Sequence, residues 1–157
     1  MLFRRQQAPN QPAPKKLDVY GGMIDQILKE QMNIDPAQAR FTTDQGYGWT
    51  FRRGSAVLEV YVSEQEGRGY FQVLSPIVHL PTTGLLPLYR RLLELNLQLT
   101  NTTLGVSSDV VYVFSERSLD GLDAIEADYI IAMVAGYADD LDNQLVNEFG
   151  GRLYAQA

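Results

Sequence analysis

The chain has no cysteine and a single histidine, His79, among its 157 residues. Without thiols it has no disulfide, no zinc–thiolate centre and no cysteine nucleophile. One imidazole also excludes a metal site built from several histidines, and it leaves any Ser–His–Asp triad dependent on that one residue. Since no acidic residue lies near His79 in the sequence, we expect a packed, hydrogen-bonded side chain there rather than a general base.

Long hydrophobic runs are also missing, because no segment approaches the roughly 18 apolar residues that span a bilayer. The first residues, MLFRRQQAPNQPAPKK, contain basic side chains without a following apolar core, so we expect no signal peptide there. Their Pro, Gln and Ala content predicts a flexible lead-in over residues 1–16. We expect one domain over residues 17–157 and a cytosolic location.

The charge of −6 is unevenly distributed. Residues 1–91 carry +3 and residues 92–157 carry −9. The acidic last third repels nucleic-acid phosphates within a Debye length of about 10 Å. It suits a basic partner, or it is a solvated helix face that keeps the protein in solution.

Five strands and three helices are predicted from periodicity. Apolar spacing of three and four residues predicts a first helix over Leu17–Met32, regular from about Met23 because two glycines precede it. Residues 33–48 contain Pro36 and two glycines, which is typical of a connecting loop. Three segments rich in aromatic and β-branched residues then predict strands: WTFRR, AVLEVYVSE and GYFQVLSPIVHL.

A second helix is predicted over Gly84–Leu99, with Pro87 in its first turn, where a missing N–H costs nothing. A hairpin about Ser107–Asp109 and a long helix from Asp120 to Phe149 follow, with Asp120 as the N-terminal cap. The order α-β-β-β-α-β-β-α predicts an α+β fold, in which helices pack on one face of an antiparallel five-stranded sheet.

Asn96 interrupts the leucine pattern of the second helix, in LLELNLQLT. A buried amide without a partner costs about 1–3 kcal/mol. We therefore expect a structural role, in which Asn96 bonds a backbone group freed where this helix ends and the fourth strand begins. A ligand-binding role is the alternative.

A family resemblance runs from about Leu17 to Phe149. The segments FRRGSAVLEVYVSEQEGRGYFQVLSPIVHLP and LLPLYRRLLELNLQLT, followed by a hairpin and a long acidic helix, resemble the YbjN-like family. That family shares its fold with type III secretion chaperones of the CesT type. Similar stand-alone domains, many from cyanobacteria, have no assigned function. The resemblance implies a small acidic homodimer that binds segments of other proteins, without cofactor or catalysis, and it makes Asn96 a feature of the fold.

Two surfaces are predicted to contact a partner, whether a second subunit or a client segment. Strand alternation places Leu58, Val60 and Val62 toward the helices. The opposite face then combines polar residues with four aromatic side chains, more than a sheet face in water requires: Tyr61, Tyr70, Tyr112 and Phe114. In the last helix a stripe of mostly small residues, which includes Ile131 and Ala135, is a second possible subunit contact; helix propensity explains the alanines equally well.

The sequence signals for metal binding and RNA binding are weaker. The acidic run ADDLDN contains Asp139 to Asn143. It lacks the glycine turn that wraps an ion in an EF-hand, so we expect a solvated face and no metal. Arg52, Arg53 and Arg68 form a local basic cluster that could bind RNA. The sequence therefore favours a non-enzymatic, protein-binding homodimer without cofactor, metal or membrane contact, with RNA binding as the alternative.

Overall fold

A computed structural model describes residues 15–156 of the chain. Residues 1–14, which hold most of the predicted flexible lead-in, lie outside this range, and Lys15 already belongs to the first helix. The helices are α1 (Lys15–Met32), the short α2 (Pro36–Ala39), α3 (Leu85–Asn96) and α4 (Ala124–Phe149), with a final 3-10 turn at Tyr154–Gln156. Within residues 15–156, no helix is long and apolar enough to cross a membrane.

One antiparallel sheet contains all strands that the structure describes. They are β1 (Arg40–Thr43), β2 (Gly46–Arg53), β3 (Ala56–Gln65), β4 (Arg68–His79), β5 (Thr103–Ser107), β6 (Val110–Ser118) and β7 (Arg152–Leu153). The spatial order is β1-β2-β3-β4-β6-β5, and β7 pairs with the end of β4. The turn between β5 and β6 places Ser108 and Asp109 at φ of 48° and 60°, as a two-residue hairpin loop requires.

The predicted α+β class is confirmed, but the predicted count of five strands is wrong. β1 lies in the segment expected to be a loop, and its four residues become a strand only because they pair with β2. β7 has two residues and follows Gly150 and Gly151, which adopt φ of 82° and 87° and return the chain to β4. Neither strand is long enough to produce a periodic signal in the sequence.

The first and the last helix also differ from their predictions. α1 continues through Gly21 and Gly22, and a Cβ atom at Gly21 would lie 2.8 Å from a guanidinium nitrogen of Arg40, so the glycine permits the close approach of β1. The prediction that Asp120 caps α4 is wrong. The cap is Asp123, whose carboxylate accepts a 2.8 Å hydrogen bond from the Glu126 backbone N–H.

The reason for the shifted cap lies in the preceding turn. Leu119 and Leu122 are both buried, and the backbone N–H of Leu122 donates a 3.0 Å bond to the Leu119 carbonyl. The helix therefore begins only after the second leucine has entered the core. Asp120 stays exposed in this turn, where its N–H donates to the Ser118 hydroxyl oxygen.

The core lies between the helices and one face of the sheet. Strand residues such as Trp49, Leu58, Val60, Phe71 and Val113 are fully buried there together with apolar residues of α1, α3 and α4. Burying side chains of this size contributes about 1.5–3 kcal/mol each relative to leaving them exposed. We call this the core face, and the other side the outer face.

The α4 stripe of mostly small residues lies in this core and not at a subunit contact. Ile131 is 0% exposed and Ala135 is 6% exposed, both packed inside the chain's own cluster. Conversely, Ile125 and Tyr129, which helical spacing would also place against the core, are 83% and 49% exposed. The helix is rotated so that its small residues approach the sheet closely, because alanines allow α4 to lie nearer to the strands.

Candidate functional site

The outer face carries the four predicted aromatic residues. Tyr61 on β3, Tyr70 on β4, and Tyr112 and Phe114 on β6 are all half-buried on the side away from the core. The registers place Tyr61 opposite Gln72, and Phe114 opposite Leu74. β3 and β6 both flank β4, so two inter-strand spacings of about 4.8 Å separate their side chains. The fold thus gathers all four rings on one surface.

A row of three residues crosses the centre of this face. Leu74 lies between Glu59 on β3 and Phe114 on β6. Leu74 is 1% exposed and yet stands outside the core cluster. Glu59 is only 9% exposed, and its carboxylate accepts a 2.6 Å hydrogen bond from the Tyr61 hydroxyl. The centre of the outer face therefore combines water-excluding apolar area with a desolvated negative charge.

Phe41 on β1 extends the aromatic surface, although its segment is predicted to be a loop. Its ring lies over Gly48, where a Cβ atom would come within 2.4 Å of it. The ring meets Tyr61 edge to face, with centroids 6.0 Å apart, a favourable arrangement for two aromatic rings. The glycine in GYGW was the available signal, since a glycine inside a strand often marks the close approach of another group.

Polar groups border the aromatic surface. Gln72 donates a hydrogen bond to the Glu116 carboxylate across β4 and β6. Beyond the paired part of β5, a groove of about 430 Å³ adjoins the face, and its lining includes Phe114, Glu116 and Arg117. Arg117 forms an ion pair with Glu126 at the start of α4, so the charges within this groove are partly compensated.

The amide of Asn96 closes the edge of the sheet. Its Nδ2 donates to the Leu104 carbonyl at 3.2 Å, and its Oδ1 accepts from the Leu104 N–H at 2.6 Å. Both backbone groups of Leu104 thus point away from β6, and Asn96 pairs with them as a neighbouring strand would. The partner of Asn96 is thus a backbone group of the strand that follows its helix, as predicted. The arrangement protects an edge strand from pairing with other chains at this residue.

A second groove, about 720 Å³, lies elsewhere, between α1 and α2. Its principal charges are already paired: Arg40 contacts the Asp25 carboxylate at 2.5 Å, and Trp49 Nε1 donates to the same carboxylate at 2.8 Å. The Arg40 guanidinium also stacks on Tyr47, 3.9 Å from the ring centroid. Tyr47 in turn donates to Asp18. This network fixes α1 to β1 and β2, and it holds Asp25 and Arg40 in pairs within the protein.

The remaining sequence candidates do not form a catalytic arrangement. Among residues 15–156, no group of three or more His, Asp or Glu side chains could hold a metal ion. In the acidic run Asp139 and Asp140 are exposed, but Asp142 is 8% exposed and bonds Asn143, so the expected solvated face is only partly correct. The His79 ring stacks on Tyr154 with centroids 5.1 Å apart, and its buried Nε2 has no hydrogen-bond partner among the described residues.

The three arginines of the RNA hypothesis are not clustered. Arg53 pairs with Ala56 at one end of β3, and Arg68 pairs with Gln65 at its other end. Nine residue steps of about 3.3 Å separate these ends by roughly 30 Å. Arg52 lies beside Arg53, so only two of the three are neighbours.

An exposed leucine stripe on α3 was missed. Leu86, Leu93 and Leu97 are 80%, 70% and 89% exposed, on the side of the helix opposite the buried Leu88, Leu92 and Leu95. Between them, Arg90 and Glu94 form an ion pair at 2.9 Å. The signal was present in the sequence, because leucines occupy more of α3 than one buried stripe requires.

These features define a class of protein: an α+β domain whose antiparallel sheet carries helices on one face and a cluster of half-buried aromatic rings on the other, over the residues that the structure describes. A family model, described as T3SS (YopN, CesT) and YbjN peptide-binding chaperone 1 (TY-Chap1), matches residues 18–157. The chain therefore belongs to this family, and the resemblance inferred from the sequence is confirmed.

Solved structures give the same fold at low sequence identity. A chain in the HopA1–SchA chaperone–effector complex matches with a TM-score of 0.61 and 12% identity, covering 84% of this chain and 99% of that one. YbjN from E. coli, a putative transcription regulator, matches with a TM-score of 0.54 and 12% identity, covering 87% and 94%. No curated protein matches the sequence.

Proposed function

We propose that this protein binds peptide segments of other proteins on the outer face of its sheet and catalyses no reaction. The observation that carries the proposal is the group of four half-buried aromatic rings, Tyr61, Tyr70, Tyr112 and Phe114, on the face opposite the described helices. A face of this kind stabilises a ligand by burying apolar area, and each ring offers up to about 150–250 Å². The family described as a peptide-binding chaperone supports the same conclusion.

The face favours surface burial over strand addition. The backbone of Leu104 on the β5 edge is already paired with Asn96. The opposite edge strand, β1, has four residues. A peptide that added a strand would therefore gain few main-chain hydrogen bonds, whereas one that crosses the aromatic rings meets a broad surface.

The proposal includes a homodimer formed through the exposed stripe of α3. In an antiparallel pair related by a two-fold axis near residue 92, Leu86 lies opposite Leu97 of the second copy. Arg90 then approaches Glu94 of that copy, so the charges are self-complementary. The contact would bury leucines that are otherwise 70–89% exposed. It replaces the α4 stripe as the predicted subunit interface.

A cytosolic location and the absence of a cofactor remain predictions that accompany this proposal. RNA binding is the less favoured function, because Arg52 and Arg53 lie at the end of β3 opposite to Arg68.

The peptide-binding proposal is tested with a random peptide library panned against the purified full chain. We expect enriched peptides whose binding shifts the backbone NMR signals of β3, β4 and β6. Tyr112→Glu, at the half-buried edge of the rings, should weaken their binding at least tenfold, while Tyr129→Glu on α4 should not. Enriched peptides that shift only helix signals, or no enriched peptide at all, would contradict the proposal.

The dimer is tested by sedimentation equilibrium over a range of concentrations. Leu93→Glu should weaken association at least tenfold, equivalent to about 1.4 kcal/mol or more. Val19→Glu is the matched control, since Val19 is a similarly exposed apolar residue, at 75%, on α1. A wild-type chain that stays monomeric at high concentration removes the dimer from the proposal and leaves peptide binding untouched.

A further inference from the structure

The outward side of α4 exposes large apolar residues. Ile125 is 83% exposed and Tyr129 is 49% exposed, and the half-buried Met133 and Tyr137 continue the same row at steps of four residues. We propose that this side of α4 binds an amphipathic helix of another protein, with a basic residue at each end of its apolar stripe. The surface lies on the helix side of the sheet, away from the outer face, so the proposal goes beyond the proposed function.

A row of small residues lies beside these large ones. Residues four apart on a helix form ridges, and a second helix packs its own ridge into the groove between them. The neighbouring row of α4 consists of Asp128, Ala132, Gly136 and Asp140. Its two central residues have almost no side chain, so the row forms an open depression with a carboxylate at each end. At 1.5 Å per residue, about 18 Å of helix separates these two carboxylates.

Gly136 has no role in the packing that the structure describes. Glycine is the least favourable residue in a helix interior after proline. The glycine at position 21 of α1 makes room for Arg40, whereas no described atom beyond the local helix backbone lies within 4 Å of a Cβ placed on Gly136. A helix that docks from outside accounts for this glycine, because the missing Cβ lets two backbones approach closely.

The charge of α4 selects the partner. Its 26 residues include six acidic residues and no Lys, Arg or His. Two of the six, Asp128 and Asp140, border the depression, so basic side chains at both ends of a docked helix are complementary to them. A second copy of α4 in antiparallel pairing would place Asp128 against Asp140 of that copy. Nucleic acids and anionic membranes are repelled for the same reason.

The spacing of the row defines the partner's sequence. When ridges of four-residue spacing pack against each other, they run parallel and their steps match. The complementary ridge therefore carries a basic residue, two apolar residues and a second basic residue, each four positions after the one before it. The two apolar side chains lie over Ala132 and Gly136, beside Tyr129 and Met133. This is the arrangement in which an amphipathic helix binds a groove.

The test uses a phage library of helical peptides with randomised surface positions, panned against the purified full chain. We expect enriched peptides with this order of residues, which shift the backbone NMR signals of α4 and bind more weakly at high salt. Gly136→Leu fills the depression and should weaken their binding by about tenfold or more. Because leucine is the better helix former, the same change should raise the melting temperature, so the loss of binding is not a loss of folding.

Charge reversal tests the ends of the depression. Asp128→Lys with Asp140→Lys should weaken the enriched peptides by about tenfold or more, and it should favour a peptide in which Glu replaces both basic residues. Asp44→Lys with Glu66→Lys is the matched control. It makes the same change of charge at two exposed positions in turns of the sheet, and it should leave binding unchanged.

Three results would overturn the proposal: no enriched peptide, enriched peptides without basic ends, or binding that survives Gly136→Leu. Self-association of the wild-type chain that Gly136→Leu abolishes, measured by sedimentation, would overturn it in favour of a second copy. The NMR signals separate this site from the proposed function. Shifts confined to β3, β4 and β6 would support the outer face and refute the α4 site, and shifts confined to α4 would do the reverse.

Discussion

The two faces of this sheet are made by the same strands and differ in almost every physical respect. On the core face, Phe71 and Val73 are 0% exposed and contact helices. On the outer face of the same strand, Tyr70 and Gln72 are half-buried, and Gln72 donates a hydrogen bond to Glu116 on β6. Alternation of side chains along β4 separates a surface that stabilises the fold from a surface available to bind.

The difference teaches where selection for function can act without loss of stability. Side chains on the core face are constrained by packing density, so most changes there destabilise the protein. The four rings on the outer face are half-buried, so changes there should cost less stability than changes in the core. The proposed binding surface lies on this less constrained side of the sheet.

The largest expected effect comes from adjacent residues of β4. Phe71→Ala should lower the free energy of unfolding by about 3–5 kcal/mol, because it removes a ring from the core and leaves a cavity. Tyr70→Ala, one residue away on the outer face, should lower it by about 1 kcal/mol or less. Urea denaturation of both variants measures the contrast. Equal losses would show that the outer face contributes to folding as much as the core.

Leu74→Ala should have an intermediate effect of about 2 kcal/mol, because the residue is buried but lies outside the core cluster. The same urea titration gives the value, and Leu97→Ala, which removes an equal number of methyl groups from an 89% exposed position, is the control. A loss as small as that of the control would place Leu74 on an ordinary wet surface.

Asn96→Ala tests how much the pairing of the sheet edge contributes to the free energy of unfolding, compared with packing on the core face. It leaves the N–H and carbonyl of Leu104 without their partners, so we expect a loss of about 1–3 kcal/mol. Asn96→Asp keeps the acceptor but loses the donor and should fall between. Gln98→Ala, just beyond the end of the same helix, should change stability by less than about 0.5 kcal/mol. The Asn96→Ala protein should also aggregate faster, since the β5 edge becomes available for pairing with other chains.

The smallest expected effect concerns pH at the core-face margin. The hydrogen bond to Asp18 raises the pKa of Tyr47 above its usual value of about 10, with burial adding to the shift. Because the folded pKa exceeds the unfolded one, the stability from this group is fully present below about pH 10 and is lost as pH rises through the folded pKa. Tyr47→Phe should flatten the fall in melting temperature between pH 9 and pH 11. An unchanged slope in that variant would contradict the assignment.

Much of the fold was predictable from periodicity. The predicted strands WTFRR and AVLEVYVSE lie within β2 and β3, GYFQVLSPIVHL matches β4 except for Leu80 at its end, and the helix predicted over Gly84–Leu99 contains α3. β1 was not predictable, because four residues between Pro36 and Gly46 carry no reliable period and pair only because β2 is present. The cap of α4 was misplaced by three residues, since two aspartates fitted the local rule and the burial of Leu122 decided between them.

The candidate site was half predictable. Alternation along β3, β4 and β6 located the four outer-face rings, because a period of two needs no knowledge of the neighbouring strands. It could not locate Phe41 over Gly48, nor show that Leu74 is buried there, since both depend on cross-strand register. For α4, periodicity alone could not show that the stripe of mostly small residues is buried, and Ile131 and Ala135 lie in the core.

The order of side chains by itself determined the class of fold, the family and the structural role of Asn96. The reason is that periodicity, turn residues and composition are local properties of the chain. Tertiary structure alone decided which residues became neighbours. It separated Arg52 from Arg68, set Glu59 beside Leu74 and Phe114, and exposed three leucines of α3. The physical reason is that strand pairing and helix rotation are fixed by contacts between residues distant in sequence, and no local pattern contains that information.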